Sequence, residues 1–292
     1  MIQLLGLLIV ILVVCGALIF SGGPAVLAAL PLELGLIGGA AIGTLLIANA
    51  PSTAKQAALG LVASIRGAKW KREDYGALLV TLHELTRRAR RGGIIAIEND
   101  IEAPESSDLF QANPALLGDA PARELICDSF RLLALDPSTA DQLEVHMDET
   151  IATIVQERHR AVSALNTLAD ALPALGIVAA VLGIIKTMGV IDQSPAILGE
   201  MIAAALLGTF LGVFLAYGLV GPMANRFGQI VEEETTYLDQ IRIVMANHAR
   251  GLAPRTAIEI ARANLPASLR PRLDGLDQAI SSARFTYAKK QA

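Results

Sequence analysis

The sequence predicts an all-α, polytopic membrane protein with four transmembrane helices and a helical cytoplasmic domain. Of 292 residues, 53% are hydrophobic and only 18% charged. The mean hydropathy of +0.50 lies outside the range of an ordinary soluble domain. The charges are also segregated: residues 1 to 54 contain only Glu33, whereas 66 to 165 and 226 to 292 hold most of them. Strand-like alternation is scarce, and apolar residues recur at helical spacing instead.

A membrane-crossing helix needs about 20 mainly apolar residues. The first such stretch runs from Met1 to about Phe20 and ends at Ser21, Gly22, Gly23 and Pro24, which permit a turn. It lacks the basic n-region and small-residue cleavage site of a secretory signal, so it reads as a retained span. The second runs from about Leu32 to Ala50, with Glu33 at its entrance, and stops at Pro51. The third, roughly Leu168 to Val190, begins near Asp170 and holds Lys186 near its far end, where a lysine can snorkel to the interface. The fourth, about Ile197 to Val220, closes at Gly221 and Pro222.

Orientation follows from basic residues. The connections 21 to 31 and 191 to 196 have no Lys or Arg, while 51 to 167 and 223 to 292 hold every one except Lys186. Both termini are therefore expected in the cytoplasm of an inner-membrane, multi-pass protein. The domains become 1–50, the first two spans; 51–167, a cytoplasmic helical domain; 168–222, the third and fourth spans; and 223–292, a cytoplasmic helical tail. Within the first cytoplasmic block, Leu78, Leu82, Leu85 and Ala89 form a helical stripe from Tyr75, stopped by Gly92 and Gly93. The next segment puts Ile94, Ile97 and Ile101 on one side and Glu98 and Glu102 on the other, and Pro104 ends it. Residues 138 to 165 read as one long helix entering the third span, and 223 to 250 as one leaving the fourth.

Catalytic signatures such as a P-loop, a dinucleotide fingerprint or GxSxG are missing, and His83-Glu84 is not followed by the second His of a zinc helix. The chain is not read as an enzyme, and no cofactor or metal is expected. The four histidines are dispersed and read as solvated or partly packed. A net charge of −4 and 4% aromatic residues offer nothing for nucleic acid. Cys15 lies in an apolar run and Cys127 in a charged region, so no disulfide is expected. Asp141, Glu144, Asp148 and Glu149 read as the wet face of a long helix.

The spans are more informative. Gly35, Gly39 and Gly43, and again Gly208 and Gly212, recur every four residues, a spacing that lets helix backbones approach within one subunit or between subunits. Thr209 is the one notable polar side chain deep in the third and fourth spans, and its default is a hydroxyl bonded back to the Ala205 carbonyl. An ion-conducting bundle normally carries an interior ionisable group, so a titrating carboxylate would have to come from an obligatory partner. Pro173 and Pro222 are either hinges or boundary marks. Arg87, Arg88, Arg90 and Arg91 form a solvated face, a contact for anionic lipid headgroups or a docking surface.

The segments LADALPALGIVAAVLGIIKTMG, MIAAALLGTFLGVFLAYGLVGPMANRF and RRARRGGIIAIENDIE resemble the signature stretches of the MotA family, and the order and spacing of the spans match along the whole chain. The resemblance implies a flagellar-motor stator subunit, a pentamer around two copies of MotB, whose single span supplies an essential Asp. It further implies that ion passage turns the ring against the rotor protein FliG. By motif, Arg90 and Glu98 are similar to the rotor-contacting charges, with Arg87, Arg88 and Arg91 as possible additions. Pro173 and Pro222 resemble the prolines that couple ion binding to movement, and Thr209 and Ala180 match positions lining the ion path. Members with Ala at the position of Ala180 resemble the proton-driven kind. Pro173, Gly176, Ala180 and Ile184 lie along one helix side, which permits the third span to present this stripe to the partner. Two other readings stand beside this one: an energising ring subunit like ExbB or TolQ, and a membrane scaffold without conduction of its own.

Overall fold

The structure is a computed structural model that describes residues 2–21, 23–136 and 140–291. In chain order the α-helices are α1 (Ile2–Ser21), α2 (Gly23–Ala48), α3 (Pro51–Arg66), α4 (Arg72–Gly92), α5 (Glu98–Glu102), α6 (Asp108–Gln111), α7 (Pro114–Leu117), α8 (Ala120–Leu135), α9 (Ala140–Met188), α10 (Pro195–Val213), α11 (Gly221–Ala249), α12 (Pro254–Asn264) and α13 (Leu273–Gln291). A π-helical segment, Phe214–Val220, joins α10 to α11. Among the described residues there is no strand.

Two compact units emerge: Met1–Gly67 with Glu157–Val231, and Ala68–Gln156 with Glu232–Ala292. The first holds four helical stretches long and apolar enough to cross a membrane. Its α1 is apolar on every side and has no buried residue in its span, the signature of a helix whose solvent is lipid. The inner contacts of this unit gather Val26, Ile37, Ala41, Leu172, Ala179, Leu207, Leu211 and Ala216.

The seam between α9 and α10 is built on missing side chains. A Cβ placed on Gly176 would stand 2.7 Å from the Gly208 carbonyl oxygen, and one on Gly212 would stand 2.6 Å from the Leu172 carbonyl oxygen. Backbone packs on backbone there, the interlock small residues allow in hydrocarbon. The other stripe behaves differently: Gly35, Gly39 and Gly43 meet nothing within contact distance inside the chain.

Two boundaries differ from the sequence expectation. Helix α2 begins at Gly23, not near Leu32, and carries Pro31 in its interior. Glu33 is consequently not at an entrance but well inside the helix, and it is buried. Pro222 does not close the fourth span either, because the chain continues helically through the π segment into α11. The Gly221 amide bonds to the Ala216 carbonyl, five residues back, and this wider turn accommodates the proline, which has no amide to give.

The second unit has one core around Tyr75, Phe110, Phe130 and Tyr237, each fully buried. Trp70, the sole tryptophan, stacks on Tyr237 with ring centroids 3.9 Å apart. Helix α4 buries Leu78, Leu82, Leu85 and Ala89 as its stripe predicts. Ser107, Asn113 and Asp119 cap α6, α7 and α8 by accepting from the amides of Leu109, Leu116 and Ala122. The long helix expected over 138 to 165 is present from Ala140, positions 138 and 139 lying outside the described residues. Its acidic run is not simply a wet face. Arg242 of α11 reaches Glu144 at 3.2 Å and Asp148 at 3.0 Å, and Arg250 pairs with Glu144 and, at 3.8 Å, with Asp141.

Glu84 is fully buried in α4. Burial works against its charge, but hydrogen bonds from His83 and Arg87 outweigh it and hold the carboxyl down to about 2. The Arg87 Nη2–Oε2 distance is 2.6 Å. Removing one member of a buried pair costs about 3 kcal/mol, so Arg87→Gln should lower the unfolding midpoint of the second unit, read by Trp70 fluorescence in a denaturant titration. The folded carboxyl lies below its ordinary 4.5, so its stabilisation is complete above that pH and is lost as pH falls toward about 2. Glu84→Gln should flatten the loss over that window.

The glycine seam supplies a second test. Gly212→Ala should sharply reduce the amount of protease-resistant chain in the membrane, because the new Cβ meets backbone that cannot rotate away. Gly35→Ala should leave that amount unchanged in the chain produced alone.

Candidate ion path and rotor-facing surface

The residues singled out by sequence fall into two groups. Ala180, Pro173, Thr209 and Pro222 all lie in the first unit, and Arg87, Arg88, Arg90, Arg91 and Glu98 all in the second.

In the first unit Ala180 is buried and turned toward α10, its amide nitrogen 3.1 Å from where a Gly208 Cβ would stand. Gly176 is likewise pressed into α10. The stripe Pro173–Gly176–Ala180–Ile184 therefore forms, at its two middle positions, a seam within the chain. The side of α9 left uncovered carries Ile177, Val178, Val181, Leu182, Ile184 and Ile185 instead. The reason is the glycine interlock, which selects the smallest face of α9 for the closest approach. Thr209 follows Gly208 and is half-buried. Thr187, near the end of α9, bonds back to Gly183 at 2.9 Å; Thr209 makes no such bond to Ala205 among the described residues, so its hydroxyl is available to another group. Pro173 sits inside α9, where it frees the Ala169 carbonyl.

Sequence reasoning missed one residue here. Glu33 is only 8% exposed and its Oε2 has no hydrogen-bond partner. That oxygen stands 3.0 Å from the position of a Gly208 Cβ, which the Ala179 Cβ and the Ala180 amide nitrogen also approach, at 2.9 and 3.1 Å. The signal was present: the apolar run continues through Pro31 back to Val26, which puts Glu33 inside the span. Near Pro222, a cavity of about 350 Å³ is lined by Gly6, Val10, Tyr217, Pro222 and Arg226 among others. The π segment that shapes it had no sequence signal beyond its glycines and the proline.

In the second unit the arginine cluster divides. Arg87 is held by Glu84, and Arg88 reaches Asp100 across the turn at 3.1 Å. Asp100 is further fixed by the Ser107 hydroxyl at 2.5 Å. Arg131 of α8 grips Glu102 at 2.8 Å and the Ile101 carbonyl at 3.1 Å, and its hydrogen bond to Glu102 holds that carboxyl below its ordinary range. Helix α5, too short to stand alone, is thereby fastened to α4 and α8. Arg90, Arg91 and Glu98 remain exposed on either side of Gly92 and Gly93, and Gly93 takes φ +71°, which favours glycine.

Comparison with known proteins matches residues 4–93 to the motility protein A N-terminal family and residues 118–240 to the MotA/TolQ/ExbB proton channel family. Motility protein A of Salmonella typhimurium is 35% identical over 284 residues, covering 97% of this chain and 96% of that protein. The chemotaxis protein LafT of Vibrio parahaemolyticus is 32% identical, covering 94% and 97%. The MotAB structure from C. jejuni superposes with a TM-score of 0.71 over 91% of this chain and 95% of that one, at 19% identity. The flagellar MotAB stator complex of Bacillus subtilis gives 0.69 over 90% and 95%, at 22% identity. The fold, the four spans and whole-length identity with motility proteins agree: the chain belongs to the MotA/TolQ/ExbB proton channel family, on its motility protein A branch.

Proposed function

We propose that this chain is the ring-forming stator subunit of a bacterial flagellar motor, which with MotB forms a proton channel whose flow turns the ring against FliG. The observation that carries this reading is identity with motility protein A along nearly the full length of both proteins. An ExbB- or TolQ-like role is disfavoured by the match of residues 4–93 to the motility-specific N-terminal family. In this reading the chain is an inner-membrane protein with both termini in the cytoplasm, as the distribution of Lys and Arg favours. Copies assemble around MotB, five by family resemblance. The open space at Gly35, Gly39 and Gly43 and the uncovered apolar face of α9 support contacts with other chains.

The membrane chemistry divides between two proteins. MotB supplies the titrating Asp, and Thr209 offers a hydroxyl not committed to its own helix, which orients the Asp or a water beside it. Sodium sheds its water only for several oxygen ligands; with alanine at 180, one hydroxyl is a poor cage, whereas a proton needs only the carboxylate and a wet path. Pro173 and Pro222 interrupt the hydrogen-bond ladders of α9 and of the α10–α11 run, where movement starts. At the rotor, Arg90 and Glu98 make the contact, with Arg91 as an addition, while Arg87 stays paired with Glu84 and Arg88 ties α4 to α5. A contact that must be released at each step is best served by exposed charges, which steer docking and bind weakly.

Arg90→Glu or Glu98→Lys should reduce torque on a tethered cell while leaving the amount of assembled stator unchanged, and the reciprocal change on FliG should restore part of it. The expected binding loss is about 1 kcal/mol or less. Unchanged torque in the double variant would assign these charges to a solvated face. For the ion, swimming speed at fixed proton-motive force should not respond to external sodium; a steep rise with sodium would overturn the proton assignment and leave the stator reading intact.

A further inference from the structure

The stator reading places one titrating carboxyl in the membrane, on MotB. The chain has a second. Glu33 is buried in α2 against Gly208 of α10. Its depth follows from helix geometry: at about 1.5 Å per residue, Glu33 lies about 15 Å along α2 from Gly23. Gly208 lies about 20 Å along α10 from Pro195, and Ala180 about 12 Å before Met188 on α9. All three positions are near the middle of a hydrocarbon layer about 30 Å thick. Among the described residues no other charged group is turned into this contact. Helix α1 carries only the thiol of Cys15, which is exposed; the spanning part of α9 carries Asp170 and Lys186, α10 carries Glu200, and all three are exposed.

A carboxylate in such a place has neither counter-charge nor donor, since Glu33 Oε2 is unpartnered, and burying an unpaired charge is far costlier than burying a neutral acid. The three-helix contact as it stands is therefore compatible with the protonated side chain and not with the anion. The carboxyl also stands where a change of charge has mechanical effect. It meets Gly208 at the same point that Ala179 and Ala180 of α9 approach, and the next residue is Thr209. We propose that Glu33 is a second proton-binding residue of the membrane unit, a positioning group whose neutral form keeps α10 seated between α2 and α9. When the proton leaves to water, the carboxylate must be hydrated, α10 is released at Gly208, and Thr209 shifts with it. When the proton returns, the seam closes. This extends the stator reading, in which Thr209 serves the ion path.

The test uses the full chain assembled with MotB, as wild type, Glu33→Gln and Glu33→Asp. Infrared spectra of the purified complexes should contain a neutral carboxylic-acid carbonyl band that is lost in the Gln variant and displaced in the Asp variant. In cells lacking their own stator, swimming speed is followed while internal pH is set with a membrane-permeant weak acid or base. Wild-type speed should fall as internal pH rises through the titration of Glu33, and the Gln variant, neutral throughout, should lose that dependence. Superimposable pH profiles for wild type and Gln, or no acid band assignable to Glu33, would overturn the proposal and leave Glu33 a packing residue. If the Gln variant does not accumulate, the displacement of the band in the Asp variant decides. If the wild-type pair fails to restore swimming at all, the stator reading falls, and the infrared comparison alone still decides the protonation of Glu33.

Discussion

Where α9 meets α10, two peptide backbones touch with nothing between them. Lipid tails are as apolar as leucine, so spans gain little from hiding apolar surface from one another, and close packing has to hold them together. Gly176, Gly208 and Gly212 make that packing possible. Because the closest approach is set by glycine, the rest of the unit must adjust to it. The larger side chains of α9 turn outward, Ala179 and Ala180 fall into the seam, and α2 is drawn against α10 so that Glu33 closes over Gly208.

The second unit solves a different problem, organising many charges in water. It divides them by partner. Arg87 is consumed in neutralising the buried Glu84 within α4, and Arg88 and Arg131 in fixing a short element that could not hold itself: α5 spans five residues and keeps its place through bonds from its neighbours. Arg90, Arg91 and Glu98 are left outside. The same division recurs between Arg242 or Arg250 and the acids of α9. Charges that support the fold and charges left to solvent are thus made from the same residue types, and geometry alone distinguishes them.

What was legible in the sequence depended on the range of the interaction. The α4 stripe and the existence of four spans were readable, because periodicity and apolar length are local. The family motifs marked Thr209, Ala180, Pro173 and Pro222 as a set, and all four do lie in one unit. The partners of Glu144 and Asp148 were not legible, since they come from nearly a hundred residues further on and nothing in a helix face names its counter-ion. Arg87 could not be separated from Arg90 for another reason: its partner Glu84 is only three residues away, but the spacing alone does not show that Glu84 is buried. Glu33 was misplaced by a local rule that is usually sound: a charge at the edge of an apolar run reads as the span's entrance, where it can reach headgroups. Pro31 is instead absorbed within α2, so the boundary moves outward by more than two turns and the carboxyl moves inward with it.

Helix α1 carries an opposite lesson. Leu18 packs against the inner contacts of the unit, but the opposite side of the helix is exposed, so no neighbour within the chain can distinguish Leu8 from an isoleucine or a valine in its place. The exposed residues are therefore written in a coarse alphabet, in which only apolarity matters and spelling is free. Any exposed position along α1 that does not tolerate such rewording must be read by a molecule other than this chain, whether lipid or neighbouring protein. The pattern of tolerance along α1 is in that sense a print of the surface it meets.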